Sequence, residues 1–291
     1  MADLKGINLA MQTPFDDEGE VDFTVWEHLI ESYISAGVQG LVLGAGTGQH
    51  PYLTEAECNR LYERGISQIA GRVNVICQTS ALNMDEVIRR SRHAERAGAD
   101  AVMILPPYLE GPDDDDGLFA FHEAIDAAIG IDIVGYNIPQ NTGITVSVPL
   151  LKRLSGLKNY NYIKDSGGDF TTHQEYLKLG GVGVLNGCDT MTFAALMAGT
   201  PGVIWGAANF MPAEAVRLHA LISAGEYEVA MALWQKMLPS LLFIWRNSYT
   251  PAVLRAAQLR GYGTGNARRP LHRLNAAQDA ALQKALAPLL T

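Results

Sequence analysis

The stretch "RAGADAVMIL", residues 96–105, combines a helix-like end, a glycine and a short apolar run. Gly98 fits the left-handed backbone conformation just past a helix C-terminus, where other residues are strained. The run that follows is apolar without alternation, which is typical of a strand buried on both faces. The stretch therefore predicts a helix that leads into a strand of a parallel sheet.

The same pattern recurs along the chain, and we expect a left-handed glycine in each copy. The glycines concerned are Gly37, Gly71, Gly98, Gly130, Gly156, Gly181 and Gly199. With an N-terminal strand in "GINLAMQTP", residues 6–14, the chain holds eight β/α units in about the length of a (β/α)8 barrel. An open doubly wound sheet stays possible, but eight even units without a second domain favour a closed barrel.

Local signals mark the starts of two helices. Thr54 and Glu57 form a capping box. Asp22 is a good N-cap for a helix whose apolar face carries Trp26, Leu29, Ile30 and Tyr33. Residues 206–291 are more than one last barrel helix needs. We therefore predict a barrel over residues 1–225 and a C-terminal helical extension over residues 226–291.

Composition excludes several classes of protein. Hydrophobic residues make up 48% of the 291 residues, and 31 acidic against 22 basic side chains give a net charge of −9. This balance argues against a surface for nucleic acid or an anionic membrane. The three cysteines form neither a disulfide framework nor a CxxC site. The N-terminus lacks the features of a signal peptide. We expect a soluble cytoplasmic protein with reduced thiols.

One lysine stands at a strand end, in "NYIKDSGGD", residues 161–169. Chemistry in such barrels sits at the C-terminal ends of the strands, and there burial of Lys164 would favour a neutral amine, a nucleophile toward carbonyls. The alternative is a buried ion pair with Asp165 or Asp169. Other polar or aromatic residues predicted at these ends are Thr47, Gln49, Tyr108, Tyr136, Asn186 and Trp205.

Tyr136, in "GYNIPQNTG", residues 135–143, ends the strand before that of Lys164. The fold predicts its hydroxyl beside the Lys164 amine, where a phenol can shuttle protons during imine formation and C–H cleavage. A lone tyrosine at a strand end is usually a packed ring with a satisfied hydroxyl. The pairing with Lys164 favours the functional interpretation.

Neither a cofactor nor a metal site is predicted. "GAGTGQ", residues 44–49, lacks the third glycine of a dinucleotide fingerprint, because Gln49 stands there. Its N–H groups and the Thr47 hydroxyl suit a carboxylate, although a plain tight turn stays possible. The acidic run at residues 113–116 predicts a solvated loop. The seven histidines show no ligand spacing.

These motifs resemble the dihydrodipicolinate synthase / N-acetylneuraminate lyase family, from about Thr13 to Leu274. The resemblance implies homotetramers, as dimers of dimers, of (β/α)8 barrels with a helical extension. It implies a Schiff base between Lys164 and pyruvate or another 2-oxo acid, with Tyr136 as proton shuttle. The substrate-binding residues it implies are Gly46, Thr47, Asn141, Ser166 and, through its carbonyl, Ile204.

Departures from the family pattern bear on the substrate. Gln49 replaces a glutamate, Gly46 stands where a hydroxyl residue is usual, and Leu109 replaces a tyrosine lent across a dimer interface. Gln140 and Asn141 stand where dihydrodipicolinate synthases carry an arginine for the carboxylate of aspartate semialdehyde. "KDSGGD", "NTG" and "PYLT" instead resemble 4-hydroxy-2-oxoglutarate aldolases and their 2-keto-3-deoxy-sugar-acid relatives. We expect Leu109 and Trp205 to narrow the mouth of the barrel.

The sequence thus predicts a metal-free and cofactor-free class I lyase. It would cleave, or dehydrate, a hydroxylated 2-oxo acid, and release pyruvate in the cleavage. One alternative is dihydrodipicolinate synthase itself, and another is a non-catalytic barrel that binds a keto acid. A nicotinamide dehydrogenase using "GAGTG" is the third. The expected partner is a small 2-oxo acid, with no nucleic acid and no membrane.

Overall fold

The computed structural model describes residues 1–112 and 114–290, and its eight parallel strands form a closed barrel. Each strand pairs with the next along the chain, and the eighth pairs with the first. The strands are β1 (Gly6–Ala10), β2 (Gly40–Leu43), β3 (Asn74–Gln78), β4 (Ala101–Ile104), β5 (Asp132–Asn137), β6 (Tyr160–Asp165), β7 (Gly183–Asn186) and β8 (Gly202–Trp205). The predicted (β/α)8 barrel is confirmed, and the open sheet was wrong.

Helices separate the strands and continue beyond the last one. They are α1 (Phe23–Ser35), α2 (Glu55–Ile69), α3 (Met84–Ala97), α4 (Asp115–Asp126), α5 (Pro139–Thr142), α6 (Val148–Leu154), α7 (Phe170–Leu179), α8 (Thr192–Met197), α9 (Pro212–Ser223), α10 (Tyr227–Arg246), α11 (Tyr249–Leu259) and α12 (Ala276–Leu286). The last three lie in the predicted extension, whose boundary at residue 225 stays a prediction. Among the described residues, no helix is long and apolar enough to cross a membrane.

The predicted helix signals operate as expected. The Asp22 side chain accepts a hydrogen bond of 3.0 Å from the Val25 N–H at the start of α1. Thr54 and Glu57 form a reciprocal capping box at the start of α2. The apolar face of α1 is buried against the barrel, with Trp26 only 1% exposed. These contacts fix the helices on the outside of the sheet.

The glycine prediction is wrong at Gly130 and Gly156 and correct at the other five positions, namely Gly37, Gly71, Gly98, Gly181 and Gly199. Gly98 adopts φ 102° after α3 and donates its N–H to the Ala94 carbonyl. Neither Gly130 nor Gly156 has a positive φ. The helix before Gly130 ends differently, because its C-cap residue Ala127 stays right-handed at φ −67°. The Gly130 N–H donates instead to Glu95, at 2.8 Å.

The barrel interior is packed with side chains. Its inner cluster includes Val42, Met103, Val134, Leu185 and Ile204, all fully buried. A second, larger cluster fills the layer between the strands and the surrounding helices. Because the interior is filled, the barrel is a packed core, and a ligand site is expected at the ends of the strands.

The sequence predicted a loop for the acidic run at residues 113–116, and this prediction is wrong for residues 114–116, which begin a helix. Asp114 is the N-cap of α4 and accepts from the Gly117 N–H at 2.7 Å. Asp115 and Asp116 lie in the first turn of that helix, where carboxylates oppose the helix dipole favourably. Asp113 lies outside the described residues.

We predict that Gly202→Ala destabilises the protein by about 1–3 kcal/mol, the usual cost of overpacking. A Cβ at Gly202 would lie 2.6 Å from the Leu4 carbonyl oxygen and 2.8 Å from that of Gly6. These are backbone atoms of the neighbouring chain segment, which cannot swing aside. Thermal unfolding measures the effect. Gly46→Ala is the matched control, because nothing lies within 4 Å of its added Cβ. Equal midpoints for the two variants would contradict the prediction.

Candidate functional site

A cavity of about 510 Å³ opens at the C-terminal ends of the strands. Loops after the strands form most of its wall, and Trp245 and Tyr249 of the C-terminal helices complete it. The cavity brings together six of the predicted site residues, namely Gly46, Thr47, Tyr136, Asn141, Lys164 and Ser166. The seventh, Ile204, is fully buried in the inner cluster and does not line the cavity.

Lys164 and Tyr136 are direct partners in the pairing of β5 with β6. The Lys164 side chain is carried into the barrel, and the residue is only 5% exposed. Its Nζ atom lies 4.0 Å from the centroid of the Tyr136 ring. The sequence predicted the hydroxyl beside the amine, but the structure places the amine over the ring face. Side chains paired across neighbouring strands lie against each other, so the long lysine covers the ring.

The alternative of a lysine held in an ion pair is wrong, because both aspartates are bound elsewhere. Asp165 follows Lys164 on the strand and therefore points to the opposite face. Its carboxylate binds the Asn137 side-chain amide at 2.9 Å and His173 Nδ1 at 2.9 Å. Asp169 caps α7 through the Thr171 N–H. Lys164 forms no salt bridge with any described residue.

Ser166 and Gln140 lie beside Lys164 in the cavity wall. The Ser166 residue is 3% exposed, and its Oγ atom has no hydrogen-bond partner among the described residues. The Gln140 side chain donates to the Ser166 carbonyl at 2.7 Å. Asn141 is exposed at the cavity and makes no side-chain hydrogen bond to a described residue. A bound molecule could therefore use Ser166 Oγ and the Asn141 amide.

The turn after β2 explains the glutamine found where the family usually has a glutamate. Gln49 has a left-handed backbone, φ 61°, and is almost fully buried. Its side-chain amide donates to the Arg268 carbonyl and accepts from the Arg268 N–H, each at 3.0 Å. A carboxylate could only accept, so it could not form both bonds. Gln49 thus joins the turn that carries Thr47 to the C-terminal segment.

The Arg268 side chain strengthens the same junction. Its guanidinium binds the Glu57 carboxylate at 2.6 Å and 2.9 Å, which lowers the pKa of Glu57 to about 2. It also donates to the carbonyls of Tyr52 and Gly19 and lies over the Phe15 ring. Because its guanidinium is already bound by the Glu57 carboxylate and by two backbone carbonyls, Arg268 is not available to a ligand.

Asn186 and Trp205 end β7 and β8 as predicted, but neither of them, nor Leu109, lines the cavity. Trp205 is fully buried in the outer cluster, and Leu109 is 68% exposed outside the cavity, so neither narrows the mouth. Asn186 ends β7, but its side-chain amide binds the Cys188 carbonyl and Thr192. The apolar part of the cavity wall comes instead from Leu105, Ile138, Trp245 and Leu271.

Two residues in the cavity wall, Asp189 and Tyr249, were not predicted from the sequence. Asp189 follows β7 and is 3% exposed, and its Oδ1 atom accepts from the Tyr249 hydroxyl at 3.1 Å. Burial raises the pKa of Asp189 to about 6, although the hydrogen bond from Tyr249, the Ala207 N–H and the charge of Lys164 all oppose it. Burial also raises the pKa of Tyr249, which stays protonated.

His50 lies at the β2 side of the cavity. Burial lowers the pKa of His50 to about 4, so the ring is neutral near neutral pH. Its Nε2 atom is 2.6 Å from the Ser80 carbonyl, which fixes the proton on that nitrogen. Among the described lining residues, Lys164 is then the one cationic side chain.

No group of three or more metal-ligating side chains occurs in residues 1–112 and 114–290. The three cysteines are free and buried. Metal independence stays a prediction for a chelation experiment.

A barrel that carries a buried lysine at the end of β6, open to a cavity, has the arrangement of a class I lyase. Residues 3–288 match the model of the dihydrodipicolinate synthetase family. The chain belongs to this family, whose members are pyruvate-dependent class I lyases.

Individual relatives resemble the chain over nearly its whole length. A 4-hydroxy-tetrahydrodipicolinate synthase of Exiguobacterium sibiricum is 33% identical over 280 residues, 96% of this chain and 95% of the relative. One of Syntrophus aciditrophicus is 33% identical over 286 residues, 97% of each chain. A structure of the chloride-inhibited dihydrodipicolinate synthase from Acinetobacter baumannii, complexed with pyruvate, superposes with TM-score 0.93 at 27% identity, covering 98% of both chains.

The lowered pKa of His50 predicts a loss of stability in acid. The ordinary histidine pKa is about 6.5, so the unfolded chain binds a proton at His50 as the pH falls below it, whereas the folded protein binds one only near pH 4. The free energy of unfolding should therefore fall between about pH 6.5 and about pH 4. Denaturant unfolding at several pH values measures this slope.

His50→Gln keeps a donor for the Ser80 carbonyl and removes the titration, so the slope should become shallower. His28→Gln, at an exposed position, is the matched control. An unchanged slope in His50→Gln would contradict the prediction.

Proposed function

We propose that this protein forms or cleaves a carbon–carbon bond through an imine between Lys164 and pyruvate. The observation that carries the proposal is the Lys164 amine, buried at the floor of the cavity and 4.0 Å from the centre of the Tyr136 ring. The face of an aromatic ring stabilises a nearby cation. The protonated imine is such a cation, and its positive charge makes it an electron sink.

The chemistry begins when the Lys164 nitrogen attacks the pyruvate carbonyl carbon and water leaves. The Thr47 hydroxyl and the backbone of Gly46 and Thr47 hold the carboxylate. The protonated imine then acidifies the pyruvate methyl group, and a base removes one of its protons. Tyr136 is the nearest candidate for this transfer, as its ring contacts the amine. The resulting enamine carbon attacks an aldehyde, and hydrolysis of the new imine releases the product and restores the lysine.

The first candidate for the aldehyde is aspartate semialdehyde. The sequence ranked the synthase reaction second, but relatives that are 33% identical over nearly the whole chain are named 4-hydroxy-tetrahydrodipicolinate synthases. Their resemblance supports condensation over cleavage. Asn141, exposed at the cavity without a side-chain partner among the described residues, would then bind the carboxylate of the aldehyde.

A second candidate is the cleavage or dehydration of a hydroxylated 2-oxo acid. The observation in its favour is that the described cavity wall offers no arginine for the carboxylate of aspartate semialdehyde. Among the described lining residues, Lys164 is the one cation, and a neutral amide cannot replace a guanidinium fork on a carboxylate. Hydroxyl groups, in contrast, can be bound by amides and by Asp189.

The homotetramer implied by the resemblance and the cytoplasmic location expected from the cysteines stay predictions. Light scattering of the purified protein would test the assembly.

Borohydride reduction tests the imine. We expect pyruvate plus borohydride to add a stable adduct at Lys164, located by peptide mass spectrometry, and Lys164→Ala to abolish it. Lys152→Ala is the matched control, since Lys152 lies on α6 and does not line the cavity. An adduct on another lysine, or none with pyruvate, would overturn the proposed mechanism.

The substitution Asn141→Arg tests whether aspartate semialdehyde is the second substrate, because it adds a guanidinium group for the carboxylate of this aldehyde. We expect condensation of pyruvate with aspartate semialdehyde, with a high KM that Asn141→Arg lowers roughly tenfold, because a charge-assisted hydrogen bond is worth about 1.5–3 kcal/mol. The KM for glyoxylate as the aldehyde should change less, because it lacks the distal carboxylate. No turnover with aspartate semialdehyde in either protein, together with turnover of glyoxylate, would favour the second candidate.

A further inference from the structure

The proposed condensation needs two proton transfers at different atoms. One proton leaves the methyl carbon of the bound pyruvate, and another must reach the aldehyde oxygen when the carbon–carbon bond forms. Tyr136 packs against Lys164 through its ring face and therefore lies next to the first of these atoms. Because Leu109 replaces the second tyrosine of the family pattern, another group of the wall has to take over part of the proton transfer at the aldehyde oxygen.

Asp189 and Tyr249 supply acid–base groups on the β7 and β8 side of the cavity. Both line the cavity, and the Tyr249 hydroxyl donates to Asp189 at 3.1 Å. The Ala207 N–H also approaches the same carboxylate oxygen, at 3.3 Å, which fixes the carboxyl group. The Tyr249 hydroxyl lies close to that of Thr47, because a Cβ added at Gly206 would collide with both hydroxyls.

We propose that Asp189 and Tyr249 act as a second acid–base pair, which transfers the proton to and from the oxygen on the electrophilic carbon of the second substrate. The inference rests on the proposed imine mechanism. In condensation, the electron pair of the aldehyde C=O bond moves to oxygen, which takes the Tyr249 proton, and Asp189 returns a proton to Tyr249. In cleavage, the substrate hydroxyl gives its proton to Tyr249, which passes its own proton to the Asp189 carboxylate.

The electrostatic surroundings suit this assignment. A pKa of about 6 lets Asp189 gain and lose a proton near neutral pH, as efficient acid–base catalysis requires. The titratable groups that influence the pair are Lys164 of β6, Tyr136 of β5 and Cys188. Of the helices packed against the turn that carries Asp189, α8 has no titratable side chain, and those of α10 are the exposed Tyr227, Glu228, Lys236 and Arg246.

Exchange and turnover separate the two proton transfers. Exchange of the pyruvate methyl protons in D2O without any aldehyde, followed by NMR, needs the imine and its base alone. We expect Asp189→Asn and Tyr249→Phe to keep this exchange near the wild-type rate. Condensation of pyruvate with aspartate semialdehyde, or with glyoxylate, should fall by roughly 10²–10⁴-fold in Asp189→Asn and at least about 10-fold in Tyr249→Phe. Tyr136→Phe should lose both activities.

The pH dependence of the cleavage rate is a second test of the acid–base pair. In the cleavage of 4-hydroxy-2-oxoglutarate, the carboxylate form of Asp189 is required, so the rate should rise with pH through about 6. Asp189→Asn should remove this limb. Tyr249→Phe should move it to higher pH, because the hydrogen bond from Tyr249 lowers the pKa of Asp189.

Tyr227→Phe is the matched control, since Tyr227 is 52% exposed and does not line the cavity. Wild-type condensation in both Asp189→Asn and Tyr249→Phe would overturn the assignment of the pair. A parallel loss of exchange and condensation would also overturn it, because it would indicate damage to the imine site. Absence of the borohydride adduct in the wild-type protein would instead overturn the proposed function.

Discussion

The site depends on the register in which β5 pairs with β6. This register sets Tyr136 beside Lys164 and sends the following pair, Asn137 and Asp165, to the outer face. Asp165 is held there by His173, which also binds Thr200 at 2.8 Å. A slip of β6 by one residue would put a carboxylate inside the barrel and the lysine among the helices. The buried hydrogen bonds of Asp165 therefore protect the orientation of Lys164, although they do not enter the cavity.

The barrel and its two central residues could be predicted because their signals are local. Each repeat holds a helix end and a strand within about ten residues, and Lys164 interrupts an apolar strand. Which face a residue takes could not be predicted as well. Strands buried on both faces carry no alternation, so nothing marks Trp205 as facing the helices. Asp189 and Tyr249 were missed because they are 60 residues apart and meet only in the folded chain.

Substitutions relative to the family pattern differ in what they mean physically. At Gln49 the amide has a structural explanation, since both of its hydrogen bonds to Arg268 are formed within the protein. At Asn141 the side chain has no such partner among the described residues and is exposed at the cavity. Contacts within the protein therefore account for the first substitution, whereas the second leaves a free amide that we propose binds a ligand, a difference that the sequence alone does not reveal.

The joint between Gln49 and Arg268 spans 219 positions of the chain. During synthesis on a ribosome, all eight strands are complete many residues before Arg268 is added. A nascent barrel therefore already contains Lys164, but its mouth lacks Tyr249 and the segment that steadies the turn bearing Thr47. The order of translation thus delays completion of the cavity until almost the whole polypeptide has emerged. In a chain truncated before Tyr249, the Lys164 amine would face a cavity that lacks part of its wall.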